Sequence, residues 1–120
     1  MTQDEFISYV LNNVKKSDIL KRQKKDSEIH KVILSGPNIG IECIVGKNGN
    51  TKKINLDDLI ATYGLLISNQ TILHITFIKK LHNKNKPCVS YLIVALLIKL
   101  ELILKVEGEV DLYSSTLLKR

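Results

Sequence analysis

Three features of the 120-residue chain predict an α+β fold. A capped stretch at the N-terminus repeats its apolar residues at helical spacing, the middle of the chain is β-branched and punctuated by turn residues, and Ser90 to Leu102 is apolar almost without interruption. The expected architecture is one domain over 1–120: an N-terminal helix and basic segment (1–27), a three-stranded antiparallel meander (28–55), and a C-terminal helical part (56–120). Leu, Ile and Val supply 42 residues. That is enough apolar volume for one core, and it excludes disorder for most of the chain.

Thr2-Gln-Asp-Glu5 has the form of a capping box, and Phe6, Ile7, Val10, Leu11 and Val14 follow on one stripe. The spacing predicts a helix from residue 3 to about 16. Ser17 to Ser27 is basic and carries only Ile19 and Leu20 as apolar residues, so it reads as a further helical turn or a linker.

Three strands are expected next, at 29–34, 39–45 and 51–54. They are separated by Ser35-Gly36-Pro37-Asn38 and by a turn around Asn48-Gly49, a dipeptide that tolerates positive φ. Asn55 is placed to cap a helix over 56–67, with Asp57 and Asp58 against the positive end of its dipole. Gly64 weakens that helix and suggests a close backbone approach. A short strand through Ile75, a short helix to about Asn83 and a polar turn ending at Pro87 follow. Ser90 to Leu102 then forms the central helix, buried on most sides, and Ile103 to Tyr113 forms two strands about Glu107-Gly108-Glu109.

The net charge is +6, and it is unevenly placed. Lys15, Lys16, Lys21, Arg22, Lys24 and Lys25 form one basic block, while Lys79, Lys80, Lys84 and Lys86 form another. The rest of the chain is net acidic. Clustered cations release the counterions of a polyanion, so the blocks predict phosphate-backbone contact. Lysine outnumbers arginine strongly, which disfavours the bidentate reading of guanine.

The run from Val89 to Gly108 (Val-Ser-Tyr-Leu-Ile-Val-Ala-Leu-Leu-Ile-Lys-Leu-Glu-Leu-Ile-Leu-Lys-Val-Glu-Gly) resembles the third helix and first wing strand of winged helix-turn-helix domains. The likeness covers residues 56–113, in the order helix, strand, helix, turn, helix, strand pair. It implies a second helix over Phe77 to Asn83, and a recognition helix presenting Ser90, Tyr91 and outward positions up to Lys99. It further implies phosphate contacts at Lys84, Lys86 and the wing near Gly108. The family's glycine after the third helix is absent from Leu100-Glu101-Leu102-Ile103, and the wing carries Glu107, Glu109 and Asp111, which a phosphate backbone repels.

No catalytic constellation, metal site or cofactor is expected. Cys43 and Cys88 are 45 positions apart with no ligand or disulfide spacing, and they read as small core residues. His30, His74 and His82 have no metal-pair spacing, Asp57-Asp58 are explained as helix-start residues, and the Ser35–Gly40 glycines lack the Lys-Ser/Thr of a phosphate loop. Tyr9, Tyr63, Tyr91 and Tyr113 are scattered and read as core or interface. The acidic N-terminus is unlike a signal peptide. The longest nearly uncharged run, Cys88–Ile98, is too short to cross a bilayer, so a cytoplasmic protein without membrane contact is expected.

These features predict a small non-enzymatic nucleic-acid-binding or regulatory protein, with the ten basic residues, Ser90 and Tyr91 as its contacts and transcription regulation as its setting. The alternative is a protein-interaction module (an inhibitor, immunity or assembly factor) that uses the apolar C-terminal helix, whose surplus apolar surface also suggests a homodimer.

Overall fold

The computed structural model describes residues 1–21, 26–45, 49–68, 73–74, 87–108 and 112–116. It is α+β. Helix α1 spans Gln3–Asn12, and its start is set locally. The Glu5 N–H donates to Thr2 Oγ1 at 3.2 Å, and the Thr2 N–H donates to Glu5 Oε1 at 3.0 Å. Those bonds hold the Glu5 carboxyl below the usual carboxylate range, chiefly through the Thr2 N–H. A carboxylate with a depressed folded pKa adds stability above its unfolded pKa and loses it as pH falls through the folded one. Replacing Glu5 by Gln should therefore shrink the stability difference between neutral and acidic solution, measured as the urea midpoint at each pH.

Helix α1 stops four residues before its expected end. Asn13 leaves helical geometry (φ −108°, ψ 10°), and its side-chain amide donates to the Tyr9 carbonyl at 2.7 Å, closing the last turn. Val14 is buried from outside the helix. Its continuation of the apolar stripe is therefore a coincidence of packing.

The basic segment is partly a strand and not a helical turn. Strand β1 (Ile19–Lys21) pairs antiparallel with β2 (Asp26–Ile33). Strands β3 (Gly40–Ile44) and β4 (Thr51–Asn55) complete a four-stranded sheet in the order β1-β2-β3-β4, one strand more than the predicted meander. Three residues are too few to show alternation. β1 exists because Leu20 is fully buried opposite Ser27 and because its backbone extends the ladder. The register of β2 against β3 slips at His30, between the pairs Ile29↔Cys43 and Lys31↔Glu42. Such a bulge bends the strand and sharpens its twist. Gly49 takes the positive φ expected of the Asn48-Gly49 turn.

Helix α2 (Leu56–Ser68) opens on a second reciprocal cap. The Asp58 N–H donates to Asn55 Oδ1 at 2.9 Å, and the Asn55 N–H donates to Asp58 Oδ2 at 3.0 Å. Gly64 is exposed, and a Cβ there would meet nothing within 4 Å. No close approach explains it. Gly64→Ala should raise stability by about 1 kcal/mol through helix propensity alone, read as a higher urea midpoint.

Strand β5 (Leu73–His74), helix α3 (Pro87–Lys99), β6 (Ile103–Lys105) and β7 (Leu112–Ser115) follow, with a second antiparallel sheet in the order β5-β7-β6. The expected helix to Asn83 lies outside the described residues. α3 begins three residues earlier than predicted and ends in a left-handed Glu101 (φ 58°). There the Leu102 N–H closes on the Leu97 carbonyl at 2.9 Å and the Glu101 N–H on the Ile98 carbonyl at 3.0 Å. These two bonds form a Schellman cap, and Glu101 stands where glycine is usual. The Thr116 hydroxyl also donates to the Glu101 carbonyl at 2.6 Å.

One apolar cluster joins these parts. Phe6 and Val10 of α1, Leu20, Ile41 and Ile54 of the first sheet, and Leu92, Ile93 and Leu96 of α3 are all fully buried. α3 packs on β1, β4 and β6. Phe6 lies 5.4 Å from the Tyr63 ring, whose hydroxyl donates to the Met1 carbonyl at 2.6 Å, tying α1 to α2.

Candidate functional site

Alternation along the first sheet sorts its charges. Ile41, Cys43 and Ile54 point into the core, so Glu42 and its register partners Lys31 and Lys53 share the solvent face. Lys21 stands opposite Asp26 on that same face. The solvent face is therefore laced with opposite charges across strands, a device worth a few tenths of a kcal/mol per pair.

The contact residues singled out in the sequence fall into three groups. Lys15, Lys16 and Lys21 are exposed. Arg22, Lys24 and Lys25 of the first block, and all of Lys79, Lys80, Lys84 and Lys86, lie outside the described residues. Ser90 is only 1% exposed and Tyr91 is half-buried. Ser90 thus faces the core and not solvent, while Tyr91 keeps part of its surface outside. Lys99, at the helix end, is exposed.

Lys15 and Lys16 follow the C-terminal end of α1, where cations complement the helix dipole. A tight turn holds them. The Lys15 N–H donates to Asp18 Oδ2 at 3.0 Å and the Asp18 N–H to the Lys15 carbonyl at 3.1 Å, with Ser17 left-handed at φ 77°. The turn brings both lysines across from β2 and opens a groove of about 600 Å³. Leu11, Val14, Val32 and Leu34 supply its apolar surface, and Lys15, Lys16, His30 and Lys31 its polar rim. Among the described residues no carboxylate lines it. Lys31 belongs to neither basic block. It stands alone in the sequence, and only the sheet brings it opposite Lys15 and Lys16.

The groove runs along a strand edge. On the β1 side the Ile29 N–H donates to the Asp18 carbonyl at 2.8 Å, and the Ser17 N–H donates to the Ile29 carbonyl at 2.7 Å. Past Ile29, among the described residues, no strand lies on that side of β2, although β3 pairs with it through Ile33. Leu34, just beyond, is 59% exposed.

Cys43 is fully buried. Among the described residues no group of three metal-type ligands is present, and no helix is long and apolar enough to cross a membrane. Comparison with known proteins finds no matching family model, no matching curated protein and no matching solved structure.

Proposed function

We propose that this chain is a small non-enzymatic regulatory protein that works by binding another protein, with the groove between the end of α1 and the edge of β2 as its working surface. The observation that carries this reading is the groove's make-up: an apolar floor, a rim of three lysines and a histidine, and alongside it a strand edge that no described strand covers. Floors of this kind take apolar side chains, and the rim selects carboxylates.

The described elements α2, β5, α3, β6 and β7 follow the winged helix-turn-helix order apart from its second helix, which lies outside the described residues, and the strand order β5-β7-β6 is compatible with a wing. A recognition helix needs a free face for the major groove. In α3, Val89, Ser90 and Leu92 to Leu97 are all buried. This supports a winged scaffold turned from DNA reading to protein contact. The same burial leaves α3 less apolar surface for the homodimer contact expected from the sequence. A cytoplasmic location belongs to the proposal.

A second reading, phosphate-backbone contact, draws on the meeting of Lys15, Lys16 and Lys31 in one groove, with the remaining basic blocks as further contacts. A titration against random duplex and single-stranded DNA at two salt concentrations separates the readings. Three phosphate contacts weaken duplex binding about 40-fold between 50 and 200 mM salt. Under the protein-binding reading, no such salt-steep binding occurs. Duplex binding with that slope, abolished by reversing the three lysines to Glu, overturns it.

A further inference from the structure

Resting on the protein-binding reading, we infer that the partner contributes an extended, carboxylate-bearing segment that adds as a strand to the outer edge of β2 from Lys31 to Leu34. A row of edge N–H and C=O groups is a template for another chain's backbone, and main-chain hydrogen bonds of this kind give affinity independent of sequence. The free stretch covers roughly 10 Å, room for about four residues of an added strand.

The flanks of the edge choose the occupant. In a paired strand, alternate side chains turn to opposite sides of the sheet. Beside β2, one set lies on the core side of the sheet with Val32, and the other on the solvent side with Lys31, while Leu11, Val14, Lys15 and Lys16 complete the groove's lining. The complementary segment therefore alternates apolar and acidic residues. A second copy of this chain is the wrong occupant, because it would bring a second Lys15, Lys16 and Lys31 to the same edge with no added carboxylate, and juxtaposed like charges disfavour such a contact. The bulge at His30 adds a boundary: it interrupts the regular ladder just before the free stretch, so pairing begins on its C-terminal side.

The probe is an acetylated octapeptide of alternating Val and Glu, titrated into the isotopically labelled full chain by NMR. The expected result is shifted amide resonances and slowed amide exchange over Lys31 to Leu34. Affinity should fall at least tenfold in the triple variant Lys15→Glu, Lys16→Glu, Lys31→Glu. All three positions are exposed, so an unchanged thermal midpoint shows that the variant is folded. Two further peptides carry N-methyl groups on alternate residues, one set on each edge of the peptide. Strand addition requires that one of them binds and the other does not.

Equal binding by both methylated peptides, with lysine dependence intact, overturns strand addition and leaves the protein-binding reading standing. Peptide binding that ignores the lysine reversals, or absence of peptide binding beside salt-steep duplex binding, overturns both.

Discussion

Truncating Leu96 to alanine is expected to cost about 3 kcal/mol and to lower the thermal midpoint by on the order of 10 °C. Leu96 is fully buried in a helix whose residues Leu92 to Leu97 are all enclosed, with the sheet strands β1 and β4 on one side and β6 on another. The loss combines the transfer free energy of the removed methyl groups with the cavity they leave, because a site walled on several sides cannot collapse. Ile98, two residues on and 41% exposed, should lose less than about 1 kcal/mol on the same truncation. Chemical unfolding of both variants, followed by circular dichroism, checks the contrast. Equal small losses would mean that α3 has a free face at Leu96, and would restore the recognition-helix reading.

Gly40→Ala should be as damaging for a different reason. Gly40 opens β3 and is paired on both sides, with Ile33 on β2 and Asn55 on β4. A Cβ built there collides with the Ile54 carbonyl oxygen and lies 3.1 Å from the Asn55 Cα. Its φ of 157° is also one that side chains rarely adopt. Backbone is the obstacle, so no rotamer change relieves the clash and β4 must move away from β3. The expected cost is about 3 kcal/mol, opposite in sign to Gly64→Ala. If the urea midpoints of the two variants move together, the crowding at Gly40 is not what constrains it.

The two glycines show how unevenly structure is written in a chain. Both read as local features, Gly40 as part of a hairpin loop and Gly64 as a close approach, yet the crowding lies at the first and open space at the second. Close approach depends on which strand comes alongside, and that partner is distant in sequence. The helix starts were legible for the converse reason: Thr2 with Glu5 and Asn55 with Asp58 form their bonds within three residues. The end of α1 was not, because Val14 keeps helical spacing while being buried from a turn. β1 was missed because three residues carry no period.

Two of the groove's three lysines are legible in the sequence. Lys15 and Lys16 belong to a dense run, which composition detects. Lys31 is an isolated lysine in a strand and, like Lys53, pairs in register with Glu42; only the turn after α1 brings it beside two further lysines. The burial of the apolar helix is legible in its uninterrupted apolar run; what covers it, β1 and β4 of one sheet and β6 of the other, is not, because those strands lie far from it in sequence or carry too few residues to show a period.

By itself the amino-acid order determined the α+β class, the capped helix starts, the turn-punctuated strands and the uneven basicity, since each depends on hydrogen bonds or periodicity among near neighbours. Tertiary structure alone decided that α3 is enclosed, that Ser90 points inward, and that Lys31 faces Lys15 and Lys16 across an open strand edge. Those outcomes depend on which distant surfaces must meet to bury apolar area, and burial is a property of the whole packed chain.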